Sequence, residues 1–188
     1  MSIGFTKEEL HSTKVYNVIN EGTIIAIATP VGRGAIGLIR LSGPESIEKT
    51  NLFFRPKSNK SFGSLPFNKV ILGDFVVNNN ILDEVLVTKF VSPNSYTGED
   101  VVEISCHGSN YILQKIVTSF IEEGIMLAKE GEFTLRAYLN KKMDLSQAEA
   151  VCDIIASESS AAHEIAIKQL RGGYSNRMKK LRQELIKF

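Results

Sequence analysis

The stretch Thr23-Ile24-Ile25-Ala26-Ile27-Ala28-Thr29-Pro30-Val31-Gly32-Arg33-Gly34-Ala35-Ile36-Gly37-Leu38-Ile39-Arg40-Leu41 decides how the chain is read. Its β-branched content predicts strands over residues 23–28 and 35–41, and the Thr-Pro-Val-Gly-Arg-Gly cluster breaks the run between them. Gly32-x-Gly34-x-x-Gly37 also matches the dinucleotide-binding fingerprint. That fingerprint needs a helix starting at the glycines, so that its N-terminal dipole meets a pyrophosphate. Here the glycines lead into a strand, and the dinucleotide reading is rejected. No G-x-x-x-x-G-K-[ST] occurs in the sequence, so these residues contain no P-loop.

Ser42-Gly43-Pro44-Glu45 has capping-box spacing and predicts a helix from Ile47 to about Phe54, with Ser42 as its cap. A polar loop is expected over 56–68. Strands are expected over 70–77 and 81–90, joined by Asn78-Asn79-Asn80, residues that tolerate the positive φ of a tight hairpin. The sheet is therefore at least partly antiparallel. An ordered polar loop over 93–100 leads to a strand over 101–107 and a helix over 111–123 that ends at Gly124. A short strand over 126–129, a Gly131-Glu132-Phe133-Thr134 turn and a helix from Leu135 complete an α+β domain, residues 23–143.

After Asp144 the strand signal disappears. Asp144 and Gln147 have capping-box spacing, and Leu145, Ala148, Val151, Cys152 and Ile155 are expected to form one apolar face. Ala162, Ile165, Ala166 and Leu170 start a second face, continued by Tyr174, Met178, Leu181, Leu185 and Phe188. Residues 144–188 thus read as the first part of an all-α domain that is expected to continue beyond Phe188. Residues 1–22 read as an extension with a short helix over 6–18 and without the features of a signal peptide.

Of the 188 residues 43% are hydrophobic, and 22 basic side chains meet 21 acidic ones, for a net charge of +1. That balance argues against a general nucleic-acid or anionic-membrane binder, whose affinity grows with clustered Lys and Arg. Residues 171–188 carry six basic side chains and one acidic, and a solvated helix face accounts for them better than an RNA contact. The apolar runs fall far short of the roughly 18 residues a membrane helix needs. Cys106 and Cys152 form no CxxC pair, so neither a disulfide framework nor a cysteine metal site is indicated, and a cytoplasmic location is expected.

Alternation along 101–107 puts Glu103, Ser105 and His107 on one face and Val102, Ile104 and Cys106 on the other. Polar residues are the ordinary outer face of a half-buried strand, so parity alone makes no site. Cys106 and His107, as neighbours, point to opposite sides; the thiol is read as buried and structural, not as half of a nucleophile dyad. Arg40 ends an apolar strand and Lys141-Lys142 precede the helical region; each alone reads as a solvated charge.

Three segments in register carry more: 23–44, quoted in large part above; Ser95-Tyr-Thr-Gly-Glu-Asp-Val-Val-Glu-Ile-Ser-Cys-His-Gly108; and Gly131-Glu-Phe-Thr-Leu-Arg-Ala-Tyr-Leu-Asn140 running into Lys142-Met-Asp-Leu-Ser-Gln-Ala-Glu-Ala150. Together they resemble the amino-terminal part of the tRNA modification GTPase MnmE (TrmE) family. The resemblance implies a mixed-sheet α+β domain that binds tetrahydrofolate, is similar to that of aminomethyltransferases and forms a homodimer, followed by a helical domain into which a GTPase domain is inserted. In the family, the full protein works with the flavoprotein MnmG to add an aminomethyl-type group to the wobble uridine of certain tRNAs. It uses GTP, Mg2+, K+ and a 5-formyl- or 5,10-methylene-tetrahydrofolate. The GTPase domain and the carboxy-terminal Cys motif have no counterpart in the 188 residues, so no GTPase activity and no catalytic or metal-binding residue is expected of them alone.

The family's folate contacts carry over to Arg40, Glu103 and Lys142. A carboxylate such as Glu103 can accept hydrogen bonds from a pterin's amino and ring N–H groups, and Arg40 and Lys142 are expected to meet the carboxylates of the glutamate tail. The family also uses a lysine near its carboxy terminus, outside this sequence. Two readings follow: a folate-binding and dimerisation part of a tRNA-modifying enzyme, or a non-catalytic scaffold that dimerises and docks a partner. An independent aminomethyltransferase-like enzyme is the weaker third, since no complete catalytic set is present.

Overall fold

The structure is a computed structural model that describes residues 22–186 apart from Val31 and Asn59. The helix expected over 6–18 and the end of the stripe at Phe188 lie outside the described residues. The chain divides into two compact units, residues 1–130 and 131–188.

The first unit is built on a seven-stranded mixed sheet: β1 (Ile24–Ile27), β2 (Ile36–Ser42), β3 (Phe54–Pro56), β4 (Val70–Val77), β5 (Asn80–Phe90), β6 (Val101–His107) and β7 (Met126–Leu127). Their order across the sheet is β3-β4-β5-β6-β2-β1-β7. Every neighbouring pair is antiparallel except β1 with β7. The β4–β5 hairpin turns through Asn78 (φ 50°) and Asn79 (φ 62°), with Val77 paired to Asn80, a two-residue loop that needs positive φ at both positions.

Two helices, α1 (Ser46–Phe53) and α2 (Asn110–Glu122), supply apolar side chains to the core on one side of this sheet. Ile25, Ile39, Leu41, Phe75, Val85, Val87, Val102, Ile104 and Cys106 from the strands meet Leu113, Ile116, Val117 and Phe120 from α2 there. Phe53, Phe75 and Phe120 stack and edge against one another at 5.1–5.9 Å between centroids. Because side chains alternate, the residues between these core positions project from the other face: Leu38 and Arg40 on β2, Leu72 on β4, Leu86 and Thr88 on β5, Glu103 and Ser105 on β6.

Three local expectations change. Ser42 does not cap a helix: it ends β2, and its hydroxyl lies 2.7 Å from Thr97 Oγ1 and 2.6 Å from Glu99 Oε2. Gly43, at φ 133°, turns the chain away, and the backbone N–H of Glu45 is taken by Thr23 Oγ1 at 2.9 Å. The 56–68 segment is not all loop. Phe62–Ser64 forms a 3-10 turn with Phe62 fully buried, and the buried Lys89 ammonium donates to the carbonyls of Phe62 (2.8 Å) and Gly63 (2.7 Å). The rings of Phe62 and Phe67 flank that ammonium at 5.1 and 4.9 Å, and burial pushes its pKa below the usual lysine value. Third, the expected 131–134 turn is mostly helix. Only Gly131, at φ 72°, stays outside it, and the helix begins at Glu132.

The second unit holds α3 (Glu132–Leu139), α4 (Leu145–Ala156), α5 (Ser160–Leu170) and α6 (Gly173–Leu185). The Asp144–Gln147 capping box forms as expected. The apolar faces form only in part: Leu145, Cys152 and Ile155 of the first are exposed and Ala150 is buried in their place, while in the second Ala166 is buried as expected and Ile165 is exposed. Two crossing amide bonds, Gln147 Nε2 to Leu170 O at 2.8 Å and Gln169 Nε2 to Ser146 O at 3.1 Å, fix the rotation of α4 against α5. They turn the small residues, not the large ones, toward the shared face.

Gly108 marks a close approach of two backbones. Its N–H donates to Ala35 O and its carbonyl accepts from Gly34 N, and a Cβ added there would lie 2.4 Å from Gly34 O. Gly108→Ala is expected to lower unfolding free energy in urea titrations by about 1–3 kcal/mol. Gly124→Ala, at φ 89° with open space around it, should cost only about 1 kcal/mol. Equal losses would contradict this reading of the crossing.

Candidate functional site

The face of the sheet opposite α1 and α2 gathers its polar groups at the centre. Arg40 on β2 and Glu103 on β6 are directly opposite in the antiparallel register. Arg40 Nε and Nη2 both donate to Glu103 Oε1, at 2.9 and 2.6 Å, with both side chains about a quarter exposed. Among the described residues, Oε2 of Glu103 accepts no hydrogen bond, so one carboxylate oxygen stays available. A charge pair this accessible is screened by water and adds little stability by itself.

The guanidinium also lies 5.2 Å from the centre of the Tyr96 ring. Tyr96 sits in the 92–100 loop, whose conformation is tied from within. Ser92 N donates to Asp100 Oδ1, Ser92 Oγ to Gly98 O, Ser95 Oγ to Glu99 O, and Gly98 N to Ser95 Oγ. Thr97 is fully buried against Ser42, and Gly43 N donates to Asp100 O, so the loop is fastened to the end of β2. A cation, a carboxylate and an aromatic ring are thereby held together beside an apolar strip, in which Leu38 and Leu86 flank Ser105 and Leu72 pairs with Leu86.

Lys142 belongs to the second unit. It is exposed, in the turn that follows α3, with its N–H on Ala137 O at 2.9 Å and Lys141 before it at φ 60°. Of the three residues singled out in the sequence, the structure pairs Arg40 with Glu103 and sets Lys142 in the other compact unit.

Sequence reasoning missed Tyr96 and Asp83. Tyr96 lies in a loop, where no periodicity marks it. Asp83 had a signal: it shares strand parity with Val85 and Val87, a charge in an otherwise buried row. Its carboxylate is nearly buried, accepts the His107 N–H at 2.8 Å, and lies 2.7 Å from His107 Nδ1. Cys106 is the inert thiol the sequence indicated. Its Sγ–H faces Gly37 O at 3.6 Å, and burial, helped by the charge of Asp83, pushes its pKa up to about 11.

Among the described residues no helix is long and apolar enough to cross a membrane, and no group of three or more His, Cys, Asp or Glu could hold a metal ion.

This α+β unit followed by helices corresponds to two known domain families in series. Residues 23–142 match the family described as GTP-binding protein TrmE N-terminus, and residues 145–188 match the MnmE helical domain. The chain belongs to the MnmE (TrmE) family. It is 52% identical over 171 residues to the tRNA modification GTPase MnmE of Flavobacterium johnsoniae, covering 91% of this chain and 37% of that protein. The MnmE proteins of Christiangramia forsetii and Bacteroides fragilis are 51% identical over 166 residues and 50% over 171, covering 88% and 90% of this chain and 35% and 37% of theirs. The chain thus spans a little over a third of the length of these relatives.

The contrast between the two thiols is directly testable. In the folded protein at pH 8, a disulfide reagent such as DTNB is expected to titrate the exposed Cys152 rapidly and leave Cys106 unreacted until denaturant is added. Two fast thiols would contradict the packing described for β6.

Proposed function

We propose that this chain forms the folate-binding and dimerisation part of a tRNA modification GTPase. The observation that carries the reading is the Arg40–Glu103 pair beneath Tyr96, on the face of the sheet opposite α1 and α2. The residues suit a reduced folate. Glu103 Oε2 is available to accept from the amino or ring N–H groups of a pterin, Tyr96 offers an aromatic edge, and Leu38, Leu72 and Leu86 give an apolar floor.

The close pair refines the assignment of roles. Arg40 reaches the same carboxylate that would hold the pterin, so Arg40 acts at the pterin end: it orients Glu103 and can share a pterin acceptor with it. Lys142 keeps only the assignment to folate that the family resemblance gives it. Bound 5-formyl- or 5,10-methylene-tetrahydrofolate would supply the one-carbon unit. Further, we assign to the full-length protein, by its family, a homodimer built on the α+β domain, partnership with the MnmG flavoprotein, modification of the wobble uridine of tRNA, and use of GTP with Mg2+ and K+. None of these last three ligands is assigned to residues of this chain.

One observation favours the alternative of a non-catalytic scaffold. Arg40 Nε and Nη2 already bond to Glu103 Oε1, so the two side chains hold each other in place without any ligand. Calorimetric titration with 5-formyl-tetrahydrofolate separates the two readings. Stoichiometric binding is expected, weakened at least about tenfold in Glu103→Ala and in Arg40→Ala, with the sedimentation coefficient unchanged. No binding by a folded dimer would leave the scaffold reading.

A further inference from the structure

Along β6 the surface around Glu103 is closed on one side and open on the other. Val101, two residues before Glu103 and of the same parity, is buried. So is its partner across the ladder, Ser42, whose hydroxyl is bonded into the 92–100 loop. Ser105, two residues after Glu103, is partly exposed. A ligand held by Glu103 Oε2 therefore extends along the strand toward Ser105, which two residues of strand rise place about 7 Å away.

Ser105 interrupts an apolar row. Across the sheet Leu72 pairs with Leu86, Leu86 with Ser105, and Ser105 with Leu38. The adjacent row, Thr88, Glu103 and Arg40, is polar throughout. A serine between two leucines leaves a notch, because its side chain stops one atom beyond Cβ where leucine carries a branched group. The strands that bear Leu38 and Leu86 are separated by β6, so they lie roughly 10 Å apart. A flat ring in contact with carbon on both faces needs about 7–8 Å. The notch thus admits one ring and is aligned with Glu103 along the strand. Among the described residues the Ser105 hydroxyl makes no hydrogen bond, so a polar group is available at its base.

We propose that Ser105 sets the specificity of the site at the one-carbon position: the reduced ring of the pterin enters the notch between Leu38 and Leu86, and the Ser105 hydroxyl donates to an oxygen-bearing group on N5. The inference rests on the folate reading of the Arg40–Glu103 pair. The pterin amino and ring N–H groups that suit Glu103 belong to the pyrimidine ring. With that ring at Glu103, the fused reduced ring and its N5 point toward Ser105. A formyl oxygen on N5 accepts from a hydroxyl, whereas a methyl group there offers no acceptor.

The test titrates this chain, Ser105→Ala and Ser105→Leu with 5-formyl-tetrahydrofolate and with 5-methyl-tetrahydrofolate in the calorimeter. Ser105→Ala keeps the notch and removes the hydroxyl; it is expected to weaken 5-formyl binding about five- to tenfold and leave 5-methyl binding unchanged. Ser105→Leu fills the notch and is expected to weaken both ligands at least about tenfold, with the urea unfolding midpoint unchanged. An equal loss of both ligands in Ser105→Ala, no loss in Ser105→Ala, or undiminished binding by folded Ser105→Leu overturns the inference and leaves folate binding at Glu103 intact. Failure of the unsubstituted chain to bind either folate overturns both this inference and the reading on which it rests.

Discussion

A sheet covered by helices on one side must sort its side chains by parity, and everything proposed for this chain depends on how β6 does so. Val102, Ile104 and Cys106 are buried toward the helices, and Glu103 and Ser105 project the other way. A register slip of one residue would drive Glu103 into the phenylalanine cluster and expose Ile104, so the core that stabilises the strand also fixes the direction of the carboxylate. β6 lies between β5 and β2, which sets Arg40 on one side of Glu103 and Thr88 on the other.

Two devices keep that face in shape. The 92–100 loop is tied through Ser42, Thr97 and Asp100, and this positions Tyr96 over Arg40. On the core side the buried row of β5 runs Asp83, Val85, Val87, Lys89, with a charged residue at each end. Each charge is buried with partners: Lys89 clasps the 3-10 turn through two carbonyls, and Asp83 replaces a missing ladder acceptor and holds His107. A buried charge persists only when hydrogen bonds replace its water, and here those bonds organise the segments that flank the sheet.

The strands and α2 were legible because β-branched runs, the Asn-Asn turn and Gly124 are local signals with local consequences. The same holds for the Asp144–Gln147 capping box. The cap assigned to Ser42 failed because its competitor, a loop more than fifty residues later, cannot be seen from local spacing. The helical faces held only in part for a related reason: periodicity ranks residues by hydrophobicity, whereas the α4–α5 rotation is set by two glutamine–carbonyl bonds and small alanines, of which Ala166 was expected and Ala150 was not. At the site, Arg40 and Glu103 were named through family resemblance, and their contact came only from the register. Tyr96 lies inside a segment that carries the resemblance but has no periodicity to mark it as part of the site, while the charged ends of the β5 row break an apolar alternation.

The central claim is that ligand binding uses the face at Glu103, opposite α1 and α2, while the face toward those helices serves only as core. Methyl-labelled NMR spectra recorded during addition of 5-formyl-tetrahydrofolate test it most directly. The account predicts that the methyl signals of Leu38, Leu72 and Leu86 shift and those of Val85, Val87 and Ile104 stay in place. Shifts confined to the helix-packed set, or no shifts in either set, would contradict it.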